Sequence, residues 1–362
     1  MQIRCVDCSL QYPETGLPYQ CPQCGGLFDF DGPIEFDLNQ IEPEQPGIWR
    51  YRHAFGLFNG APVLHLGEGH TPFLWMDVKG RKIGVKVEGQ NPSGSFKDRG
   101  VAVTTSQLLA RGIESAVEDS SGNAGASFSA YAAKAGIHAR VFVPAYATGP
   151  KTQQIAAYGA ELVRIPGPRS AAADAVMQEA RAGKAYASHA YLPFGLAGYA
   201  TIAYEIFEAM RGAPGTIVAP AGHGGLLLGL VRGFRAIMSG GYIEKMPQFL
   251  GVQAANCAPV YTAFDKGLDA VAQLAIRKTI AGGVAVRYPK QLPALLREMP
   301  RGSRMAAVKE EEIMPAVEAL AHKGLYVEPS SALVWHAMME HLDALSGPVI
   351  LVLSGTGLKY AN

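Results

Sequence analysis

The sequence has almost no excess of charge of either sign, because 32 Lys and Arg residues face 31 Asp and Glu residues, for a formal net charge of +1. A protein that binds nucleic acid or a membrane surface usually carries a clear basic excess, so we expect neither partner. No apolar run approaches the ~18 residues that a membrane-spanning helix needs. The first residues, MQIRCVDC, also lack the apolar core of a signal peptide. These absences predict a soluble, cytoplasmic protein.

Charged residues of both signs are scarce as well, at 17% of the chain, whereas apolar residues make up 48%. This composition excludes disordered and fibrous chains, because so much apolar surface supports a packed core. The 42 Gly and 24 Pro residues provide for many tight loops between buried elements. The length predicts two or three domains of about 150 residues each.

Cysteine is rare, and four of the five cysteines stand within the first 24 residues. They form two C-x-x-C pairs separated by 12 residues: Cys5, Cys8, Cys21 and Cys24. This spacing predicts a zinc ribbon with four thiolate ligands. Iron or a pair of disulfides would use the same residues, although disulfides are uncommon in a reducing cytosol. The fifth, Cys257, lies in an apolar stretch and is expected to be a buried structural residue.

Residues 1–31, which contain the paired cysteines, carry one cation, Arg4, against four carboxylates, for a net charge of −3. A ribbon that binds nucleic acid is expected to be basic. We therefore interpret this segment as a clip that stabilises the fold.

Beyond residue 62 the hydrophobic pattern alternates between strand and helix periodicity. Strands are predicted at 83–87, 116–119, 140–143, 162–165, 216–219, 249–253 and 349–353. Helices are predicted at 96–111, 124–135, 151–158, 198–210, 226–237 and 330–341. This alternation predicts an α/β fold of doubly wound parallel sheets with helices on both faces. Ligands in such folds bind at the loops that follow the strands.

One of these loops leads into a helix through Asn91-Pro92-Ser93-Gly94-Ser95-Phe96-Lys97-Asp98. Ser95 and Asp98 have the spacing of a capping box, which places Lys97 in the first helical turn. The positive end of the helix dipole disfavours an ammonium group there and favours the neutral amine. A neutral amine attacks carbonyl groups, so Lys97 is a candidate for a Schiff-base lysine.

The segment Ser95-Phe96-Lys97-Asp98-Arg99-Gly100 resembles the lysine motif of the pyridoxal-phosphate enzymes with the tryptophan synthase β fold, also called fold type II. Its lead, residues 91–94, is similar to that of threonine synthases. Further segments resemble motifs of the same family in the same order: GEGHTP at 67–72, SSGN at 120–123, GHGG at 222–225 and LSGTGLK at 353–359. The resemblance extends over about residues 1–360, and some threonine-synthase-like chains also carry an N-terminal zinc ribbon.

The residues of each loop suit part of the site that this resemblance implies. Hydroxyl and backbone N–H groups at a helix N-terminus bind carboxylates, and a glycine-rich nest of amides binds phosphate. The substrate-binding residues are expected to be Ser120, Ser121, Gly122, Asn123 and Thr71. The cofactor-binding residues are expected to be Lys97, Asn123, Gly222, His223, Gly224, Gly225, Leu226 and Ser354. By resemblance, Asn123 holds the ring hydroxyl of the cofactor and Ser354 its ring nitrogen.

The resemblance implies that Lys97 holds pyridoxal 5′-phosphate, is displaced by the substrate amine and then acts as the base at Cα. In threonine synthases, O-phosphohomoserine loses its γ-phosphate and water adds at Cβ. That reaction requires a cationic pocket for a second phosphate group.

The sequence departs from the family in the region of this pocket. His189, Ala190 and Gly195 stand where threonine synthases usually carry Asn, Ser and Arg, and residues 185–210 contain no Lys or Arg. A serine/threonine ammonia-lyase or another β-replacement enzyme, with a smaller or neutral substrate, fits such a wall better. Alternatively, other cations complete the pocket, such as Lys151, Arg50 or Arg52. A third hypothesis is a non-catalytic cofactor-binding or interaction protein, against which Lys97 and the carboxylate loop argue.

The resemblance also implies a division of the chain into lobes. We expect a zinc ribbon at 1–31, a large cofactor-binding domain at 32–96 and 193–362, and a small inserted α/β domain at 97–192. The cofactor is expected to lie between the two lobes. Related enzymes are commonly homodimers, and the same state is expected here.

Overall fold

A computed structural model of the chain describes residues 2–56 and 60–360. The strands are, in chain order, β1 (Gln2–Cys5), β2 (Phe28–Asp31), β3 (Phe73–Val78), β4 (Arg81–Val87), β5 (Ser115–Glu118), β6 (His138–Pro144), β7 (Glu161–Ile165), β8 (Ala185–Tyr186), β9 (Thr216–Pro220), β10 (Gln248–Ala254), β11 (Arg304–Val308) and β12 (Val349–Leu353). The α-helices are α1 (Lys97–Ala110), α2 (Asn123–Ala135), α3 (Pro150–Ala157), α4 (Arg169–Arg181), α5 (Gly195–Met210), α6 (Gly225–Ser239), α7 (Pro259–Lys266), α8 (Leu292–Glu298), α9 (Glu310–Ala321) and α10 (Pro329–His341).

The chain forms two compact units. The first contains the residues up to Gly69 together with Lys97–Gly198, and the second contains His70–Phe96 and Tyr199–Tyr360. The cysteine-rich segment and the connector after it therefore belong to the first unit. The three-part division expected from the sequence stays a prediction.

The first unit is built on a four-stranded parallel sheet in the order β7-β6-β5-β8. From β5 the chain adds β6 and β7 on one side, and β8 then returns to the other side of β5. The loops that follow β5 and β8 consequently diverge, and such a switch point is where doubly wound sheets bind their ligands. Val117, Phe142, Val176 and Tyr186 form the core beneath this sheet.

The side chain of Arg111 joins the cysteine-rich segment to the rest of the first unit. The guanidinium group of Arg111, just beyond α1, donates to the carbonyl oxygens of Pro13, Glu14 and Gly16 at 2.9, 3.0 and 2.9 Å. The same group lies 5.0 Å from the ring of Tyr12, and the rings of Tyr12 and Phe194 meet edge to face at 5.3 Å. A guanidinium group has enough donors to bind several carbonyl groups at once.

The connector after residue 31 is also fixed in the first unit. It contains a kinked 3₁₀ segment, Gly47–Phe55. Its large apolar side chains, including Ile48, Trp49 and Phe55, are fully buried. This burial of apolar side chains explains why the segment is ordered although its sequence shows neither helix nor strand periodicity.

The second unit contains a six-stranded sheet in the order β11-β10-β9-β12-β4-β3. Its strands are parallel except β3, which pairs antiparallel with β4 at the edge of the sheet. The α/β fold of parallel sheets is confirmed, with this one antiparallel strand as a correction. The central strand β12 is fully buried along its whole length, as expected for a strand covered on both faces. No α-helix formed by the described residues is long and apolar enough to cross a bilayer.

Candidate active site

Lys97 is the first residue of α1, as the capping pattern predicted, and its side chain is half-buried. Loss of hydration lowers the pKa of Lys97 to about 8, and the nearby Glu118 carboxyl opposes this shift. The capping box itself does not form: Ser95 is fully buried, and its hydroxyl has no hydrogen-bond partner among the described residues. A lysine at a helix N-terminus with a pKa near 8 has a substantial neutral fraction, the form that attacks carbonyl carbon.

The segment just before Lys97 is fixed within the second unit. The N–H of Phe96 donates to the carbonyl oxygen of Ser354 at 3.0 Å, and Ser95 forms an isolated antiparallel bridge with Gly355. The N–H of Thr356 donates to the carbonyl oxygen of Gly94 at 3.0 Å. Residues 94–96 are therefore anchored beside Ser354.

Two of the predicted cofactor loops meet at the switch point of the six-stranded sheet. From β9 the chain adds β10 and β11 on one side, and β12 lies on the other. The glycine-rich loop 222–225 follows β9, and Ser354, which is 4% exposed, follows β12. Both loops thus leave the carboxyl ends of neighbouring parallel strands, the usual location of ligand sites in such sheets.

The glycine-rich loop has the geometry of an anion cradle. Gly224 is the N-cap of α6 in a left-handed conformation with φ +94°, and as a glycine it offers the helix no side-chain cap. A Cβ on Gly222 would stand 2.9 Å from the carbonyl oxygen of Gly283. The first N–H groups of a helix have no intrahelical acceptor and attract anions. The residues present therefore fit a phosphate group, with Leu226 buried behind them.

The loop 120–123 lies at the switch point of the first unit, after β5 and before α2. The N–H of Gly122 donates to the hydroxyl of Ser120 at 3.2 Å. Gly122 is the N-cap of α2, and it likewise offers this helix no side-chain cap. A Cβ on Gly125 would collide with the carbonyl oxygen of Ser120. The half-exposed residues 120–123 are thus held against the start of the helix, where a carboxylate can bind.

Thr71 is nearly buried in the second unit, and its hydroxyl donates to the Glu88 carboxylate at 2.7 Å. The preceding N–H, of His70, donates to Glu205 at 2.9 Å, and Glu205 forms a 2.6 Å ion pair with the buried Lys86. Within this unit Thr71 therefore fixes the segment in place, and its substrate-binding role stays a prediction.

Sequence reasoning did not identify Glu118 as a functional residue. It ends β5, is 1% exposed, and its Oε1 lies 3.0 Å from Nδ1 of His189. Burial raises its pKa well above the usual value, and the charge of Asp119 adds to this shift. The acidic residue at the end of a strand, just before the loop 120–123, was the available signal.

The four N-terminal cysteines form a cluster at the β1–β2 hairpin. Their Sγ atoms all lie within 4.8 Å of one another, and none is in a disulfide. The pairs Cys5–Cys24 and Cys8–Cys21 are separated by 3.4 and 3.6 Å. A tetrahedral zinc site with Zn–S bonds of about 2.3 Å has sulfur atoms about 3.8 Å apart, so the cluster fits this metal. Cys257 is buried, as expected.

Comparison with known proteins assigns the chain to a family. Residues 64–355 match the family model described as pyridoxal-phosphate dependent enzyme. Threonine synthase from Methanocaldococcus jannaschii is 30% identical, with 99% of this chain and 93% of the relative covered. Threonine synthase from Methanosarcina acetivorans is 32% identical, with coverages of 91% and 84%. The crystal structure of a threonine deaminase from T.th. superimposes with a TM-score of 0.67 at 24% identity, covering 81% of this chain and 94% of that chain, and so shares the fold. The chain belongs to the pyridoxal-phosphate-dependent enzyme family and, within it, to the threonine synthases and their relatives.

Proposed function

We propose that this chain is a lyase that converts O-phosphohomoserine and water to threonine and phosphate. The observation that carries the proposal is Lys97, a half-buried lysine at the start of α1 whose pKa is lowered to about 8. The identity of 30 to 32% with proteins named threonine synthase, over more than nine-tenths of the chain, supports the choice of reaction.

The site residues divide the binding of pyridoxal phosphate among them. Lys97 would hold the cofactor covalently, and the N–H groups of the loop 222–225 with Leu226 would bind its phosphate. Asn123 would donate to the ring hydroxyl, and Ser354 would donate to the ring nitrogen. A hydroxyl at that nitrogen leaves the ring neutral, which favours elimination and replacement over transamination.

The other roles of the site residues concern the amino-acid substrate. When bound, pyridoxal phosphate withdraws electrons from Cα of an amino acid and makes its proton acidic. Lys97 would remove that proton and return it. Ser120, Ser121 and Gly122, at the N-terminus of α2, would hold the substrate carboxylate and so fix which bond at Cα is broken.

A serine/threonine ammonia-lyase is the second candidate function, and one observation favours it. His189 stands where the family usually places a phosphate ligand, but here its Nδ1 lies 3.0 Å from a buried carboxyl group, Glu118. A carboxyl group beside a phosphate site would weaken phosphate binding, and residues 185–210 contain no Lys or Arg to offset it.

Purified holoenzyme should be incubated separately with O-phosphohomoserine, L-threonine and L-serine, and free phosphate and 2-oxo acid measured. Phosphate and threonine from the first substrate would support the proposed reaction. A 2-oxo acid from threonine or serine, without phosphate release from the first, would establish the ammonia-lyase. No product from any of them would contradict both and leave replacement chemistry or the non-catalytic hypothesis.

We further propose that Cys5, Cys8, Cys21 and Cys24 bind a structural zinc ion. The distances between their sulfur atoms support this assignment. The acidic character of residues 1–31 argues against a nucleic-acid role for the ribbon. The cytoplasmic location and the homodimer expected from the sequence remain predictions.

A further inference from the structure

The pair formed by Glu118 and His189 has no role in the chemistry described so far, yet it lies at the switch point of the first unit. Glu118 is the last residue of β5, and His189 follows the neighbouring strand β8 by three residues. The two strands are parallel, so both side chains leave the same edge of the sheet as the loop 120–123. This edge is where a doubly wound sheet binds its ligand.

Only one of the two carboxylate oxygen atoms of Glu118 has a hydrogen-bond partner among the described residues. Its Oε1 is paired with His189, whereas its Oε2 is buried and has no hydrogen-bond partner among the described residues. A buried carboxylate normally receives several hydrogen bonds or a full ion pair, because the loss of hydration is costly. With its Oε2 unpaired, Glu118 is suited to carry a proton.

The adjacent Asp119 differs from Glu118, because both of its carboxylate oxygen atoms accept a hydrogen bond from a side chain. Its Oδ2 accepts from Arg169 at 2.7 Å and its Oδ1 from the hydroxyl of Tyr186 at 2.6 Å. The hydrogen bonds of Arg169 and Tyr186 at this edge therefore go to Asp119. The groups that face Glu118 are His189 from the β8 loop, Asp119 and Arg169 beside it, and Lys97 from α1.

Lys97 and Glu118 are electrostatically linked: a charge on Glu118 raises the pKa of Lys97, and a charge on Lys97 lowers the pKa of Glu118. Gain of a proton by Lys97 therefore favours loss of a proton by Glu118. His189 is the partner that can accept that proton, because its Nδ1 lies 3.0 Å from Oε1.

We propose that Glu118 and His189 form a positioning pair that shares one proton, and that the charge of Lys97 decides which of the two residues carries it. While Lys97 is neutral, Glu118 is protonated and donates to Nδ1 of His189. When Lys97 gains a proton, the Glu118 proton moves to Nδ1, leaving a carboxylate that stabilises the ammonium group and an imidazolium that balances the carboxylate. No atom is gained or lost by the pair, and the step reverses when Lys97 gives its proton back. The inference rests on the role proposed above for Lys97.

The test measures the pKa of Lys97 in the cofactor-free protein, by the pH dependence of its reductive methylation read by peptide mass spectrometry. The variants are Glu118→Gln and His189→Gln. The matched control is Glu179→Gln, which changes a carboxylate of the same unit that is paired with Arg140 at 3.1 Å, away from this edge. Both test variants are expected to lower the pKa of Lys97 by about one unit, while the control leaves it unchanged.

In the holoenzyme, the same two variants are expected to lower kcat by about tenfold, because the pair acts on the proton that Lys97 carries. The proposal is overturned if folded Glu118→Gln, or folded His189→Gln where the first does not fold, titrates Lys97 as the wild type does. Failure of the proposed function gives a different result: the wild type would hold no cofactor at Lys97, while the methylation experiment on the cofactor-free protein would still decide this inference.

Discussion

The N–H of Phe96 donates to the carbonyl oxygen of Ser354 at 3.0 Å, although the two residues are far apart in the chain. This bond joins the residue before the lysine to the end of the central strand β12. Lys359 adds a second link, through its ammonium group and the carbonyl oxygen of Ser93. Within the second unit, the segment that ends at Phe96 is therefore fixed by the C-terminal segment at two points.

Replacing Lys97 by Ala is expected to abolish covalent cofactor binding and to lower kcat by about a thousandfold, because the proton transfer at Cα loses its base. Borohydride reduction followed by peptide mass spectrometry measures the attachment. Lys134→Ala, at an exposed position of α2, serves as the control and should retain both properties. Trapping of the wild-type cofactor on any other lysine would contradict the assignment.

Replacing Gly224 by Ala is expected to weaken binding of pyridoxal phosphate by about tenfold, since a side chain in the left-handed region costs about 1–2 kcal/mol. The new Cβ would also stand 3.2 Å from Cβ of Gln291. Equilibrium dialysis of the cofactor measures the effect. Gly212→Ala, with nothing within 4 Å of the added atom, should bind as the wild type does. Equal affinities in both variants would show that the loop is not the phosphate cradle.

Replacing Cys21 by Ser is expected to remove the bound zinc and to lower the temperature of unfolding, because the metal supplies folding free energy to a small hairpin. Elemental mass spectrometry and calorimetry measure the two effects. Cys257→Ala, at a buried thiol outside the cluster, should leave the zinc content unchanged. Iron, or no metal, in the purified wild type would refute the zinc assignment.

Stability of the cofactor-free protein is expected to depend on pH through Lys97. Its pKa is about 8 in the fold, against 10.5 as the ordinary value, so between these limits the unfolded chain binds more protons than the native one. Stability of the wild type relative to Lys97→Met should therefore rise with pH across this window and be lowest below it. Urea unfolding of both proteins at several pH values measures the difference. A constant difference would show that the lysine titrates normally.

The four inner strands of the second unit's sheet could be read from the sequence, and the two edge strands, β11 and β3, could not. The unbroken apolar run of β12 predicted 349–353, and the structure has the same bounds. The edge strand β3 leaves Leu74 and Trp75 half-exposed, so its residues show no clean alternation. The helix α4 was also missed, because its alanines and charges give little hydrophobic periodicity.

The lysine helix and the loops after the strands were predicted because their motifs are local. Glu118 was not, because its significance depends on the partner that approaches from β8 and on burial, neither of which is encoded near it in the chain. A single acidic residue at a strand end is also what an ordinary polar strand terminus contains. Tertiary contacts, and not residue type, separate Glu118 from the ion-paired Asp119 beside it.

The three carbonyl groups that Arg111 binds have a consequence for any shortened version of this protein. A chain started at residue 32 would leave that guanidinium group without these acceptors and would uncover the ring of Phe194, against which Tyr12 packs. The helix that carries Lys97 at its first residue ends next to this contact. The N-terminal hairpin thus supports the helix α1, and its removal is expected to loosen the packing around the C-terminal end of that helix.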